Sequence, residues 1–120
     1  MTASLKHVFV VSDATGQTCE RVAKAALAQF EGHEAEIHMK KFVRTPQEVE
    51  RILREAKELE AAVIYTLVGA DERTTMADKA KALGISTIDI LGPLLFQFAT
   101  MFGHDPAEIP GLYQDLIEGH

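Results

Sequence analysis

The sequence predicts an α/β fold: three layers, with a mainly parallel four-stranded sheet carrying helices on both faces. Three observations predict it. Four apolar runs, each too short for a core helix, alternate with segments of helical periodicity. The first run, Val8-Phe9-Val10-Val11, is apolar on both sides, as in a strand buried between two layers. Each strand is followed by a helix, and that order implies parallel strands joined by right-handed crossovers, the Rossmann or flavodoxin-like arrangement.

The stretch from His7 to Phe30 is the unit around which the rest is arranged. After the first strand comes Ser12-Asp13-Ala14-Thr15-Gly16-Gln17-Thr18, short side chains rich in hydroxyls. A helix follows, with Cys19, Val22, Ala26 and Phe30 at spacings of three and four and expected on one inward face. A turn from the carboxyl end of a strand into a helix leaves backbone N–H groups free and adds the positive end of the helix dipole, which together form an anion site. Gly16 lets a bound group approach the backbone, while Ser12, Thr15, Gln17 and Thr18 carry polar groups toward it. The same turn has a plainer reading: Thr15 or Thr18 as helix cap, Asp13 closing an Asx-turn and Gly16 supplying a positive φ. Asp13 opposes a bare phosphate, since a like charge about 5 Å away costs roughly 3 kcal/mol at an effective dielectric near 20.

Glu31-Gly32-His33 is expected to end the helix, with Gly32 just past it. Glu36 to Val43 reads as a second strand, more polar and so nearer a sheet edge. Thr45-Pro46-Gln47-Glu48 is a capping box with proline at the first helical position, and Val49, Ile52, Leu53, Ala56 and Leu59 form the stripe behind it. Ala61 to Val68 is the third strand, ended by Gly69. A third helix spans Asp71 to Leu83, with Met76, Ala80 and Leu83 inward and Gly84 at its end. Ile85 to Ile90 is a short fourth strand, followed by Leu91-Gly92-Pro93 and a helix from Leu94 to Phe102. The α/β domain is assigned to residues 1–103 and a tail to 104–120, with a short helix expected over Leu112 to Ile117.

The Leu94–Phe102 helix has almost no polar side, so one sheet face cannot bury it all. It is expected to contact a second copy or a further part of the same protein. Arg44, after the second strand, and Arg73, after the third, fall on the same sheet edge as the Ser12–Thr18 turn and are candidates to offset Asp13 or clamp an anion.

Composition bounds the function. A net charge of -6 argues against nucleic acid as a partner, and 47% hydrophobic with 25% charged residues is the balance of an ordinary soluble globule. The single Cys19 cannot form an internal disulfide and reads as a small buried hydrophobe. No apolar run reaches the roughly 20 residues a bilayer requires, and the expectation is a cytoplasmic protein without membrane contact. The five histidines show no paired ligand spacing along the chain, so no metal is expected.

With the segments placed, the chain resembles the amino-terminal part of the regulatory proteins of pyruvate, phosphate dikinase and phosphoenolpyruvate synthase. The likeness runs in order through VVSDATGQTCE (Val10 to Glu20), FVRTPQEVERIL (Phe42 to Leu53), IYTLV (Ile64 to Val68), IDILGPLL (Ile88 to Leu95) and PGL (Pro110 to Leu112). It departs at Ala14 and Gln17, where family members usually carry serine and glutamate, and at Gly69-Ala70, where they carry Asp-Pro. The resemblance implies an ADP-dependent serine/threonine kinase with phosphate-dependent pyrophosphorylase activity, ADP and phosphate as its ligands, and a threonine beside the dikinase's phosphorylated histidine as its target. It also implies a carboxyl-terminal kinase domain with a glycine-rich nucleotide loop. This chain has no G-x-x-x-x-G-K-[ST] pattern, so no catalytic residue and no cofactor is assigned within it. The amino-terminal domain would contribute target recognition, dimer contacts or one wall of the active site. The rival reading is a flavodoxin-like FMN- or phosphate-binding domain, because the Ser12–Thr18 turn resembles the flavodoxin phosphate loop. That reading lacks tryptophan and has only Tyr65, inside a strand, and Tyr113, in the tail, to stack on a flavin.

Overall fold

A computed structural model describes residues 5–112; the expected helix beyond Leu112, together with Tyr113 and His120, lies outside the described residues. Strands β1 (Lys6–Ser12), β2 (Ala35–Lys40), β3 (Ala62–Thr66) and β4 (Thr87–Asp89) alternate with helices α1 (Gln17–Leu27), α2 (Pro46–Leu59), α3 (Ala70–Leu83) and α4 (Gly92–Phe102). The sheet is wholly parallel, in the order β2-β1-β3-β4. The α/β expectation therefore holds, with β2 at an edge as its polarity implied.

One face of the sheet is well covered. Phe9 and Val11 of β1, Val63 and Tyr65 of β3, and the α2 stripe Val49, Ile52, Leu53 and Ala56 form a continuous core with Met76 and Ala80 of α3. Burying a side chain of this size contributes roughly 1.5–3 kcal/mol, so this layer holds the fold. The α2 start keeps the Thr45 cap and first-turn proline that its sequence implied: Thr45 accepts from the Glu48 amide at 3.1 Å and donates to the Glu48 carboxylate at 3.0 Å, while that carboxylate reaches back to the Arg44 N–H at 3.2 Å, one residue before the cap of the expected capping box.

Among the described residues, the other face is covered by α1, through Cys19 and Ala23 packed on Val10. Here the structure corrects the expected helix face. Cys19 is inward as expected, but Ala23 joins it in place of Val22, Ala26 and Phe30, and Val22 and Phe30 are 44% and 61% exposed. The helix starts at Gln17, so Cys19 and Ala23 point at the sheet, and it ends at Leu27 with Ala28 as its C-cap. Gly32 lies beyond, in a separate turn with φ +81°.

Strand β2 also stops earlier than expected. Phe42 takes a left-handed φ of 55°, and the chain folds over the tip of β1, where Val43 N–H donates to the Ser12 carbonyl and Phe42 N–H to that of Ala14. Helix α4 buries none of its residues; Phe96, Phe98 and Phe102 are all exposed.

Candidate functional site

The crossover from β1 runs to one side of the sheet and that from β2 runs back past β1 to β3, so the order reverses between β1 and β3. Ligands of open parallel sheets bind outside the carboxyl ends of the strands at such a reversal. A cavity of about 650 Å³ opens there, lined by the whole Ser12–Thr18 turn, by Arg21 and Val22 of α1, by Thr66 and Val68 at the end of β3, and by Leu91 and Leu95. The tail returns as its roof, through Pro106 to Ile109 and Gly111.

The turn is built by glycine and by two side chains that satisfy the backbone. Gly16 is the N-cap of α1 at φ +83°, a conformation disfavoured for any residue with a Cβ, and an added Cβ would also stand 2.8 Å from Met39 Cε. Ser12 Oγ accepts from the Ala14 amide at 3.0 Å. Asp13, only 6% exposed, accepts from the Val68 amide through Oδ2 at 2.8 Å and so ties the tip of β1 to the end of β3. Asp13 is therefore not the closer of a local Asx-turn, and neither Thr15 nor Thr18 caps the helix.

Burial pushes the Asp13 carboxyl above its ordinary value; the bond from Val68, the backbone amide of Asp13 itself and the Arg44 charge act against that rise, and Glu72 adds to it. Arg44 does not line the cavity. Its Nε donates to the Asp13 carbonyl at 2.9 Å, so it braces the turn from outside and offsets the Asp13 charge, one of the two roles its position suggested. Arg73 is not brought to the turn. It lies on α3, near the buried Tyr65 and Asp89, and its Nε is enclosed without a hydrogen-bond partner. Tyr65 itself is pushed up to about 12, first by burial and then by the Asp89 charge.

The four helix starts differ in one respect. At α2 the Thr45 hydroxyl accepts from an amide, at α3 the Glu108 carboxylate accepts from Ala70 N–H at 2.7 Å, and at α4 Asp89 accepts from Gly92 N–H at 2.6 Å. At α1 no side chain caps the helix, and among the described residues the N–H groups of Thr15, Gly16, Gln17, Thr18 and Cys19 find no acceptor. Of these residues, Thr15 to Thr18 line the cavity together with Arg21, a cation that the sequence reading missed. Arg21 stands four residues after Gln17, one helical turn along the same face, which is the signal that would have found it.

The opposite walls are apolar, from Val22, Val68, Leu91, Leu95 and Ile109. The site thus suits a group with an anionic end at α1 and a less polar body. No aromatic side chain is among the described residues lining it, so a flavin would find no ring to stack on.

Comparison with known proteins places this geometry in context. A model of the family described as kinase/pyrophosphorylase matches residues 8–120. A protein of Geobacter sulfurreducens, provisionally named pyruvate, phosphate dikinase regulatory protein, is 40% identical over 116 residues, which are 97% of this chain and 43% of that protein. Proteins with the same provisional name from Desulfitobacterium hafniense and Halalkalibacterium halodurans are 37% and 34% identical, over 98% and 94% of this chain and 43% and 42% of their own length. The chain thus spans less than half the length of the curated relatives it matches.

Proposed function

The chain belongs to the kinase/pyrophosphorylase family, and from that premise we propose that it serves as the amino-terminal, phosphate-receiving part of a regulator of pyruvate, phosphate dikinase. The relatives it matches along nearly its whole length carry the name of such regulators. The observation that carries the reading is the open amino end of α1: the amides of Thr15 to Thr18, without acceptors among the described residues, belong to residues that line one cavity with the Arg21 cation.

In this reading the Ser12–Thr18 turn holds a phosphate-bearing group, either phosphate itself or the phosphoryl end of ADP. Phosphoryl transfer rests on positioning and charge stabilisation, and backbone amides at a helix start supply both without reorganising. Asp13 fixes the turn rather than meeting the anion, since one of its oxygens is bonded to Val68. Thr15 and Thr18 add hydroxyl donors, and Gln17 an amide, from the exposed rim. The nucleotide loop and the residues of phosphoryl transfer come from polypeptide corresponding to the remainder of the relatives, and the setting is cytoplasmic.

The apolar α4, none of whose residues is buried, is the surface on which that polypeptide or a second copy packs. Light scattering separates the two: a dimer supports the second copy, whereas a monomer whose dye-binding apolar surface is covered in the longer protein supports the first. A monomer that binds no apolar dye refutes both.

Calorimetric titration with inorganic phosphate and with ADP tests the turn. Wild type is expected to bind at least one of them, Arg21→Ala to bind roughly 10- to 100-fold more weakly for the loss of a charge-assisted bond of about 1.5–3 kcal/mol, and Gly16→Val to lose binding. Equal affinity in wild type and Arg21→Ala, or no binding in wild type, removes the turn from the functional account.

A further inference from the structure

At the other end of the sheet, the starts of β1 and β2 bring together three side chains far apart in sequence. His7 and Glu36 are cross-strand partners, and His38 follows Glu36 by two, so all three project from the same face of the sheet. His7 Nδ1 stands 2.9 Å from His38 Nε2 and 3.9 Å from Glu36 Oε2, and the ligand atoms of the three lie within 4.8 Å of one another. We propose that His7, Glu36 and His38 form a binding site for a borderline divalent transition metal of the zinc class, which pins the edge strand β2 to β1.

The geometry is close to what such an ion demands. Zinc with nitrogen ligands near 2.0–2.1 Å and a carboxylate oxygen near 2.0–2.2 Å, arranged tetrahedrally, separates its ligand atoms by about 3.3–3.5 Å. The 2.9 Å pair must open by about 0.5 Å, the 3.9 Å pair close by about as much, and the third pair, within 4.8 Å, close by up to about 1.5 Å, movements within the reach of side-chain torsions, the Glu36 side chain being about half exposed. The close contact between the two rings requires one nitrogen to present its lone pair toward the other, so a metal replaces a proton between them. The His38 ring is held in place by Phe9, fully buried, at 4.9 Å between centroids. Nearby Lys40 is turned to Glu55 at 3.0 Å, so its charge is already paired. Glu36 is about half exposed, which leaves a fourth position to water. Two imidazoles and one carboxylate select zinc, cobalt, nickel or copper over magnesium and calcium, which take all-oxygen shells.

The test is calorimetric titration of the untagged chain with zinc chloride alone, alongside His38→Gln, His7→Gln and the control His33→Gln. Wild type and the control are expected to bind one ion with equal affinity and to melt at a higher temperature with zinc. Each ligand variant is expected to bind at least about 10-fold more weakly, no less than the loss that removing a mere outer-sphere partner brings. With cobalt, wild type is expected to show the intense visible bands of a tetrahedral ion, and His38→Gln is not. Should a histidine variant fail to fold, Glu36→Gln, at an exposed position, is measured in its place. Undiminished zinc affinity in the ligand variants, or no uptake by wild type at about 1 mM zinc, overturns the proposal.

Discussion

Replacing Asp13 by alanine and by asparagine separates the two things its carboxylate does. The side chain is almost fully buried and accepts from the Val68 amide at 2.8 Å. Alanine leaves that half-buried N–H without an acceptor, and a hydrogen bond to a charged group is worth about 1.5–3 kcal/mol. Some of this is returned because a desolvated charge disappears, so a net loss of about 1–2 kcal/mol is expected, or roughly 4–15 °C in Tm for a domain of this size. Asparagine keeps an acceptor oxygen and removes the charge. It is expected to match or exceed wild type near pH 7, because burial raises the folded-state pKa of Asp13 above the ordinary 3.8.

The sign follows from linkage. A carboxyl whose pKa is higher in the folded than in the unfolded state binds its proton more tightly when folded. Its favourable contribution is complete below 3.8 and is lost as pH rises through the folded value. The advantage of Asp13→Asn over wild type therefore grows as pH rises through that window and is flat above it. Urea unfolding of the three proteins from about pH 3 to pH 8, followed by circular dichroism, checks this. If asparagine proves as damaging as alanine at neutral pH, or alanine has no effect, the role given to the Asp13–Val68 bond is wrong.

Three further outcomes are expected. Thr45→Ala removes the α2 cap and should cost about 0.5–2 kcal/mol in the same assay without changing the m-value. Cys19, fully buried and with its thiol pushed up to about 11 chiefly by burial, should resist a thiol-specific disulfide reagent in the native state and react once on unfolding in urea. In Gly92→Ala the new Cβ would collide with the Asp89 carboxylate that caps α4, so a loss of about 1 kcal/mol or more in thermal stability is expected, an effect absent from the exposed Gly103→Ala apart from its φ strain.

How far the sequence reaches can be seen from particular residues. The Thr45 cap and the stripe from Val49 to Ala56 were legible because both are contained within a few residues and fixed by one helix. The αL glycine at Gly16 and the placing of the Ser12–Thr18 turn at the carboxyl edge of the sheet, beside the cavity, were legible for a similar reason: strand, turn and helix follow one another directly. The inward face of α1 was legible only at Cys19. Val22 and Phe30 are larger than Ala23, so patterning favoured them, but the few residues of the turn set the helix phase against β1.

The sequence by itself determined the alternation of strands and helices, the parallel sheet, the family likeness and the turn that faces the cavity. All of these depend on short-range order or on segments recurring along the chain. Only the tertiary structure decided that Arg44 braces the turn from behind, that Arg73 lies by Tyr65, and that His7 meets His38 across 31 positions. The reason is physical: strand register and crossover direction fix which side chains meet, and neither is written in the spacing of the residues themselves.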